Sequence, residues 1–350
     1  MTPKNIFRFS DIKFLIRDIL IFHETPPDIA EIVSESLVQA EGKGVLSHGI
    51  LRLQSYIQLI EEGVLDNKAR PVVKSLGISA LSVDGKFGFG MLLGREAAIA
   101  TSDASSRTGI CVTTGRNFNH LGMLEYFTEP AAQNGYITIA MTNAHPTVTF
   151  PGGKEAAIGT NPICVSIPSI GGPFNLDMAI SKSSFGKIRE AALEGEKIPD
   201  DIALDNEGNG TTDPIAALSG SLLPFGGIKG YALGMIVDML AGILSGSAAG
   251  HDVITWNIER KRWNSGMTLI AIDPRFYLSL DQFKFLIEQY LEKTRNYSPE
   301  HRAPGDRRRQ KLLESQNTGL RIKSQSLNLL RILAKNANIV FPSSISDESF

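Results

Sequence analysis

From about residue 78 the chain repeats one texture. Short apolar runs recur, "ISALSVDG", "GICVTT", "YITIAMTN", "NPICVSIP", "FNLDMAI" and "MTLIAID", each bounded by glycine, proline or asparagine. Runs of this length suit strands, and strands satisfy their backbone groups only by pairing. Helical stretches come between several of them, so the texture predicts a sheet-centred α/β unit. The ends of the chain read differently. "DIKFLIRDILIF" and "PPDIAEIVSESLVQAEGKG" carry apolar residues at helical spacing, the second with proline at its start and glycine at its end. Beyond about residue 310 "SLNLLRILAKNA" is helical again, and the closing "FPSSISDESF" reads as loose. The expected architecture is a helical domain made from both ends, residues 1–75 and 310–350, around one large central α/β domain, residues 76–309.

Composition narrows the classes of function. A chain of 350 residues can bury more than one core. Its formal net charge of -2 carries no basic excess of the kind that binds nucleic acid. No apolar run reads as long enough to cross a bilayer, so neither nucleic acid nor a membrane is an expected partner. Charges interrupt the apolar stretch of "MTPKNIFRFSDIKFLIRDIL", unlike a secretory signal. Cys111 and Cys164 lie inside strand-like runs. They read as buried small hydrophobes rather than a disulfide framework or metal ligands, which suits a cytoplasmic protein.

Against this background a few polar residues stand out. In "SHGILRLQSYIQLIEEG", Ser47 to Gly63, residues Ile50, Leu53, Ile57 and Ile60 form one helical stripe. His48, Arg52 and Tyr56 follow at steps of four, placing an imidazole, a guanidinium and a phenol along another face. A helix that only packs has no need of that face. A second histidine, His120, sits in "GRNFNHLGMLEYF", where a strand gives way to a helix. There it is either a helix cap or a site residue. Asp177, at a strand end in "FNLDMAIS", is a costly carboxylate without a partner, and His48 is one candidate. "PGGKEAAIGTNPI" is a turn, or a cradle for an anion or amide. Lys229, between glycines at the head of an apolar helix in "PFGGIKGYALGMIVDML", fits a phosphate site or a solvated surface. "SVDGKFGFGMLLG" imitates a dinucleotide fingerprint, but Gly94 comes four residues after Gly90 where three are wanted, and no acid ends the next strand. It reads as a glycine turn that lets a helix approach a strand. The polar stretch "HDVITWNIERKRWNSG" reads as a surface excursion.

Taken together and in order, these segments resemble the malate/L-lactate dehydrogenase family that lacks the common Rossmann fold. Its relatives include ureidoglycolate and sulfolactate dehydrogenases, diketogulonate reductase and piperideine-2-carboxylate reductase. The matching pieces are "SHGILRLQSY", "VDGKFGFG", "RNFNHLG", "GTNPICVSIP", "LDMAIS", "FGK", "TTDP", "PFGGIKG" and "APGD". The resemblance implies a homodimer that transfers a hydride between NAD or NADP and a small 2-oxo or 2-hydroxy acid. A cyclic imine reductase on the same scaffold is the alternative, and a non-catalytic binding protein a remote one.

By resemblance, His48 is the acid/base, oriented by Ser47 and Asp177 as a relay. Arg52 grips the substrate carboxylate and Tyr56 lines the substrate. His120 matches a histidine assigned as proton acceptor in some relatives, so both imidazoles are candidates. The residues implied for the cofactor are Asn143, Ala144 and Thr160, then Pro173, Phe174, Asn175, Leu176, Asp177, Met178 and Ala179, then Ile228 and Lys229, then Gly305, Asp306 and Arg307. No metal is implied. The chain departs from the family where Asp306 and "RRR" follow "PG", where "TNA" replaces "TNS", and across residues 247–265. These departures bear on substrate and cofactor choice. Arginines after the turn would favour NADP if one reached a ribose phosphate.

Overall fold

A computed structural model describes residues 5–254, 262–298 and 300–345. The two-residue strand β1 (Ile6–Phe7) leads into α1 (Phe9–Phe22), α2 (Pro27–Gly42) and α3 (Arg52–Glu61). α2 starts on Pro27, whose fixed φ suits the first helical position and whose missing N–H costs nothing there. The inward faces bury Ile12, Ile16 and Ile19 of α1, Val33 and Leu37 of α2, and Leu53 and Ile57 of α3.

The central unit begins with β2 (Val72–Gly77), β3 (Ala80–Gly88), α4 (Gly90–Thr108) and β4 (Ile110–Phe118). After α5 (Glu125–Gln133) come β5 (Ile137–Thr142), β6 (Val148–Thr149), β7 (Ala156–Ile158), β8 (Ile163–Ile167) and β9 (Phe174–Met178). Helix α6 (Phe185–Glu194), β10 (Ala203–Leu204), α7 (Pro214–Leu218), β11 (Ser221–Leu222) and α8 (Ile228–Val237) precede β12 (Met267–Ile272). Seven strands form the main sheet in the order β2-β3-β4-β12-β5-β8-β9. Only the β3–β4 pair is parallel; the other pairs are antiparallel. The sheet is therefore mixed, with a single βαβ unit, and not a doubly wound parallel sheet. The glycine-rich turn lies inside that unit. A Cβ on Gly90 would come within 2.2 Å of the Asn119 carbonyl oxygen, and one on Gly94 within 2.4 Å of the Phe127 ring. Those glycines serve close packing, as their spacing suggested. A smaller sheet, β10-β11-β6-β7, lies apart. Its two-residue and three-residue strands are too short for any alternation to show in the sequence.

The chain ends with α9 (Leu280–Arg295), α10 (Asp306–Thr318), β13 (Leu320–Arg321) and α11 (Ser324–Asn336). The return to helix thus comes at residue 280, earlier than the texture suggested. β13 pairs with β1, and α11 buries Leu327, Leu330 and Ala334 in the same cluster as α1, α2 and α3. That cluster continues through Phe89, Met91, Leu92 and Met123 towards the central sheet. One apolar stretch corrects the expectation that no run could span a bilayer: Ile228–Ser245 has the length and composition, with mean hydropathy 1.4. In the fold its later part lies against β5 and β12, and it carries Asp238, whose carboxylate accepts from Asn143 Nδ2 at 3.0 Å. The surface excursion expected at residues 251–266 falls partly outside the described residues. Its end, at Trp263, packs against the helical core instead.

Candidate active site

The turn that carries Ser47 and His48 is a short 3-10 segment, Leu46–His48, wedged between α2 and α3. Regular helix starts only at Arg52, so His48 precedes the helix face that holds Arg52 and Tyr56. Ile50 and Leu53 are fully buried beneath and fix that entrance. Arg52 is half-buried, and its Nε donates to the Ser47 carbonyl at 2.7 Å. Among the described residues no carboxylate pairs with it. A half-buried guanidinium with its terminal nitrogens unpaired is the strongest anion signal in the site.

His120 comes from the opposite side, on the loop between β4 and α5. Its ring centroid lies 5.2 Å from that of His48. The two histidines differ in what holds them. The backbone N–H of Gly122 donates to His120 Nδ1 at 3.2 Å, and the Tyr56 hydroxyl lies 2.9 Å from the same nitrogen. A backbone N–H can only donate, so Nδ1 is unprotonated and the proton of this neutral ring sits on Nε2. Burial, and then the positive charge of Arg52, push the Tyr56 phenol up and down respectively, burial winning, so Tyr56 stays a protonated donor. Burial, Arg52 and His48 hold the His120 imidazole well below the usual range. His48 Nδ1 instead faces the Ser47 hydroxyl at 2.9 Å, a group that can donate or accept. Burial first, then Arg52 and Arg308, push the His48 imidazole down to about 3.

Asp177 corrects the expected relay. Among the described residues its carboxylate makes no bond to His48. Oδ2 accepts from the Glu125 backbone N–H at 3.1 Å and lies 3.8 Å from Arg308 Nη1. Burial, opposed by Arg308, pushes the Asp177 carboxyl up to about 6. It belongs to a buried charge cluster absent from the sequence reading. Arg308 Nη1 donates to Glu125 Oε2 at 2.9 Å, and Arg308 Nη2 to the Asp177 carbonyl at 3.0 Å. Lys43 Nζ, fully buried, donates to Glu125 Oε1 at 2.7 Å and also pairs with Glu129. The positive charges acting on His48 are thus two guanidiniums, of which Arg308 is paired with Glu125 and Arg52 has no carboxylate partner among the described residues.

The residues expected to hold the cofactor fall along one rim of the sheet. Thr160 O accepts from Ile180 N, next to Ala179, and Ile180 O accepts from Phe225 N, which leads to Ile228 and Lys229. Asn161 joins the rim, accepting from Ala144 N at 3.0 Å and donating to Gly234 O at 2.9 Å. Gly305 (φ 93) packs against β9, where an added Cβ would be 3.0 Å from the Asn175 nitrogen. Pro173, Phe174, Leu176 and Met178 share that edge strand or its approach, since among the described residues β9 pairs only with β8. Two expected contacts are committed elsewhere. Asn143, almost fully buried, spends its side chain on Asp238, Ala248 O and Gly266 N. Asp306 is bound by Arg295 through bonds of 2.9 and 3.0 Å. Within the basic run, Arg308 turns into the charge cluster and Arg309 donates to Gly171 O and Pro173 O, both at 2.6 Å. Only Arg307 is exposed.

The rim suits a dinucleotide. Gly226 and Gly227 both have positive φ and open space where a side chain would stand, and Lys229 is exposed in the first turn of α8. Free N–H groups, a helix N-terminus and a lysine make a phosphate cradle. Two further residues of the site, one of them inside the matching piece "FGK", have no role assigned from the sequence. Trp263 stands edge-on to His120, with centroids 6.0 Å apart. Gly186, in the first turn of α6, packs on Ser47, where a Cβ would be 2.8 Å from the Ser47 Cβ. No periodicity marks Trp263, although a tryptophan in a polar stretch is itself a signal.

Comparison with known proteins agrees with this geometry. A family profile described as malate/L-lactate dehydrogenase matches residues 7–331. The chain is 33% identical over 310 residues to a malate/(S)-sulfolactate dehydrogenase of Methanothermus fervidus, covering 89% of this chain and 91% of that protein. It is 32% identical over 337 residues to a Delta(1)-pyrroline-2-carboxylate/Delta(1)-piperideine-2-carboxylate reductase of Pseudomonas syringae pv. tomato, covering 95% and 97%. The solved sulfolactate dehydrogenase of Methanocaldococcus jannaschii superposes with a TM-score of 0.88 at 32% identity, covering 96% of this chain and 98% of that one.

Proposed function

The chain belongs to the malate/L-lactate dehydrogenase family, and from that premise we propose how its site divides the work. The protein is an oxidoreductase that uses a nicotinamide cofactor and acts on the CH–OH group of a small 2-hydroxy acid, or on the matching 2-oxo acid. The observation that carries the division is Arg52, half-buried with no acidic partner among the described residues. Its guanidinium takes the substrate carboxylate on two nitrogens, which fixes C2 in front of the histidine pair.

The bound nicotinamide supplies or accepts the hydride. The residues of the chain manage the carboxylate and the proton. His48 is the acid/base, because the Ser47 hydroxyl at 2.9 Å accommodates either protonation state of Nδ1. His120 is the fixed donor. Its Nδ1 is occupied by Gly122 N–H and Tyr56, so it offers Nε2–H to the reacting oxygen without exchanging a proton. A carboxylate on Arg52 would offset one of the two positive charges that lower the proton affinity of His48. Substrate binding would thereby prepare His48 to hold the proton it delivers.

Lys229, Gly227 and the start of α8 would hold the cofactor phosphates. A preference for NADP rests on Arg307, the exposed arginine of the run. The exposed apolar stripe Ile228, Met235, Met239 and Ile243 supports a homodimer, and two buried free cysteines suit a cytoplasmic protein. The test is a panel of 2-oxo acids and cyclic 2-imino acids, each with NADH and NADPH, followed by nicotinamide absorbance. Turnover of a 2-oxo acid is expected. Turnover of cyclic imines alone would move the protein to the imine reductases, and no turnover of either class would remove the reading.

A further inference from the structure

Glu41 lies in the last turn of α2, only 4% exposed, and none of the chemistry above uses it. Its carboxylate crosses the turn that carries the site. Oε2 accepts the backbone N–H of Ile50 at 3.0 Å, while Oε1 is buried and Ser326 is the side-chain donor that faces the carboxylate. Ile50 sits between the two residues that matter most, two positions after His48 and two before Arg52. Gly49 shows how tightly the carboxylate is seated. A Cβ there would come within 2.2 Å of Glu41 Oε2 and 3.3 Å of the Glu41 Cα. The glycine after His48 is therefore the space the carboxylate occupies. An acceptor at this place satisfies the N–H of a turn residue just ahead of the helix cap Leu51, near the positive end of the α3 dipole.

We propose that Glu41 is a positioning residue: through Ile50 N–H it sets the distance between the His48 imidazole and the Arg52 guanidinium. This rests on reading His48 as the acid/base and Arg52 as the carboxylate anchor. Burial, partly offset by the Ile50 amide, Lys323 and Ser326, pushes the Glu41 carboxyl up to about 7. Lys323 and Ser326 stand at the start of the C-terminal helix, so both ends of the chain meet at this acid. A carboxyl poised so high costs stability, and an amide oxygen of the same reach would make the same bond. That makes glutamine the informative replacement.

The experiment compares Glu41→Gln, Glu41→Asp and Glu41→Ala in the full chain. Glu41→Gln keeps an acceptor of the same reach, so kcat should stay within about threefold of the parent. Glu41→Ala should lower kcat and raise the substrate KM, each on the order of tenfold, because both groups move. NAD(P)H affinity, read by quenching of protein fluorescence, should be unchanged. If Glu41→Ala does not fold, Glu41→Asp keeps the charge but falls one methylene short, and should show the same joint loss. The His48 ring signals in NMR should shift in the Asp or Ala variant and not in Gln. A folded Asp or Ala variant with parental kcat and KM would overturn the proposal, as would a Gln variant as impaired as Ala. A parent inactive on every 2-oxo acid would sink the functional reading instead, and the NMR comparison alone would then decide this one.

Discussion

At the scale of the residue, the two histidines look alike in sequence and differ in one partner. A hydroxyl faces Nδ1 of His48, and a backbone amide faces Nδ1 of His120. Only the first arrangement lets the ring gain and lose a proton without breaking a bond. The expected sign of the His48 shift also reverses. A relay with Asp177 would raise its proton affinity above the usual 6.5, whereas burial, Arg52 and Arg308 lower it. Arg52→Gln removes one positive charge and should raise the His48 pKa in an NMR titration. Arg52→Lys keeps the charge and should leave that pKa low. Both variants should weaken substrate use strongly while cofactor affinity holds, since neither an amide nor a point charge reproduces the bidentate fork. Equal loss of substrate and cofactor binding would mark Arg52 as structural.

At the scale of the element, α10 shows how a charge run is partitioned by its periodicity. Arg307, Arg308 and Arg309 are adjacent in sequence, but a helix sends neighbours about 100° apart. Arg308 enters the cluster of Glu125 and Asp177, Arg309 clamps the approach to β9, and Arg307 faces outward. The run was legible; which arginine faces where was not. Arg307→Ala should raise the Michaelis constant for NADPH and spare that for NADH. Arg308→Ala should show no such selectivity. It should instead destabilise the fold by about 2 kcal/mol, read by urea unfolding, because it strips a partner from buried carboxylates. If Arg308→Ala were selective against NADPH, its assignment to the cluster would fail.

At the scale of the molecule, the two ends of the chain build one core. β1 pairs with β13, and α11 closes over α1. Leu330, fully buried there, is the clearest probe. Leu330→Ala should cost about 3 kcal/mol of stability by denaturant unfolding. It should leave nicotinamide affinity intact, since the rim proposed for the cofactor lies on the central sheet. A surface-like cost below about 0.5 kcal/mol would mean that α11 does not seal the core.

The sequence by itself determined the longer elements and the local grouping of the proposed substrate residues. Apolar period sets helix against strand, and the steps from His48 to Arg52 to Tyr56 are local, so a few residues of chain suffice to bring them near one another. The glycine turn at Gly88 to Gly94 was readable for the same reason. Contacts between distant segments were decided only by the tertiary structure. Lys43, Glu125, Asp177 and Arg308 lie far apart in the chain, and nothing local in any of them names the others. Trp263 reaches His120, and Glu41 reaches Ile50, only because of how helices and loops pack. An unpaired carboxylate in the sequence says that a partner is needed; burial and geometry choose which one. For Asp177 they chose an arginine and a backbone amide rather than a histidine.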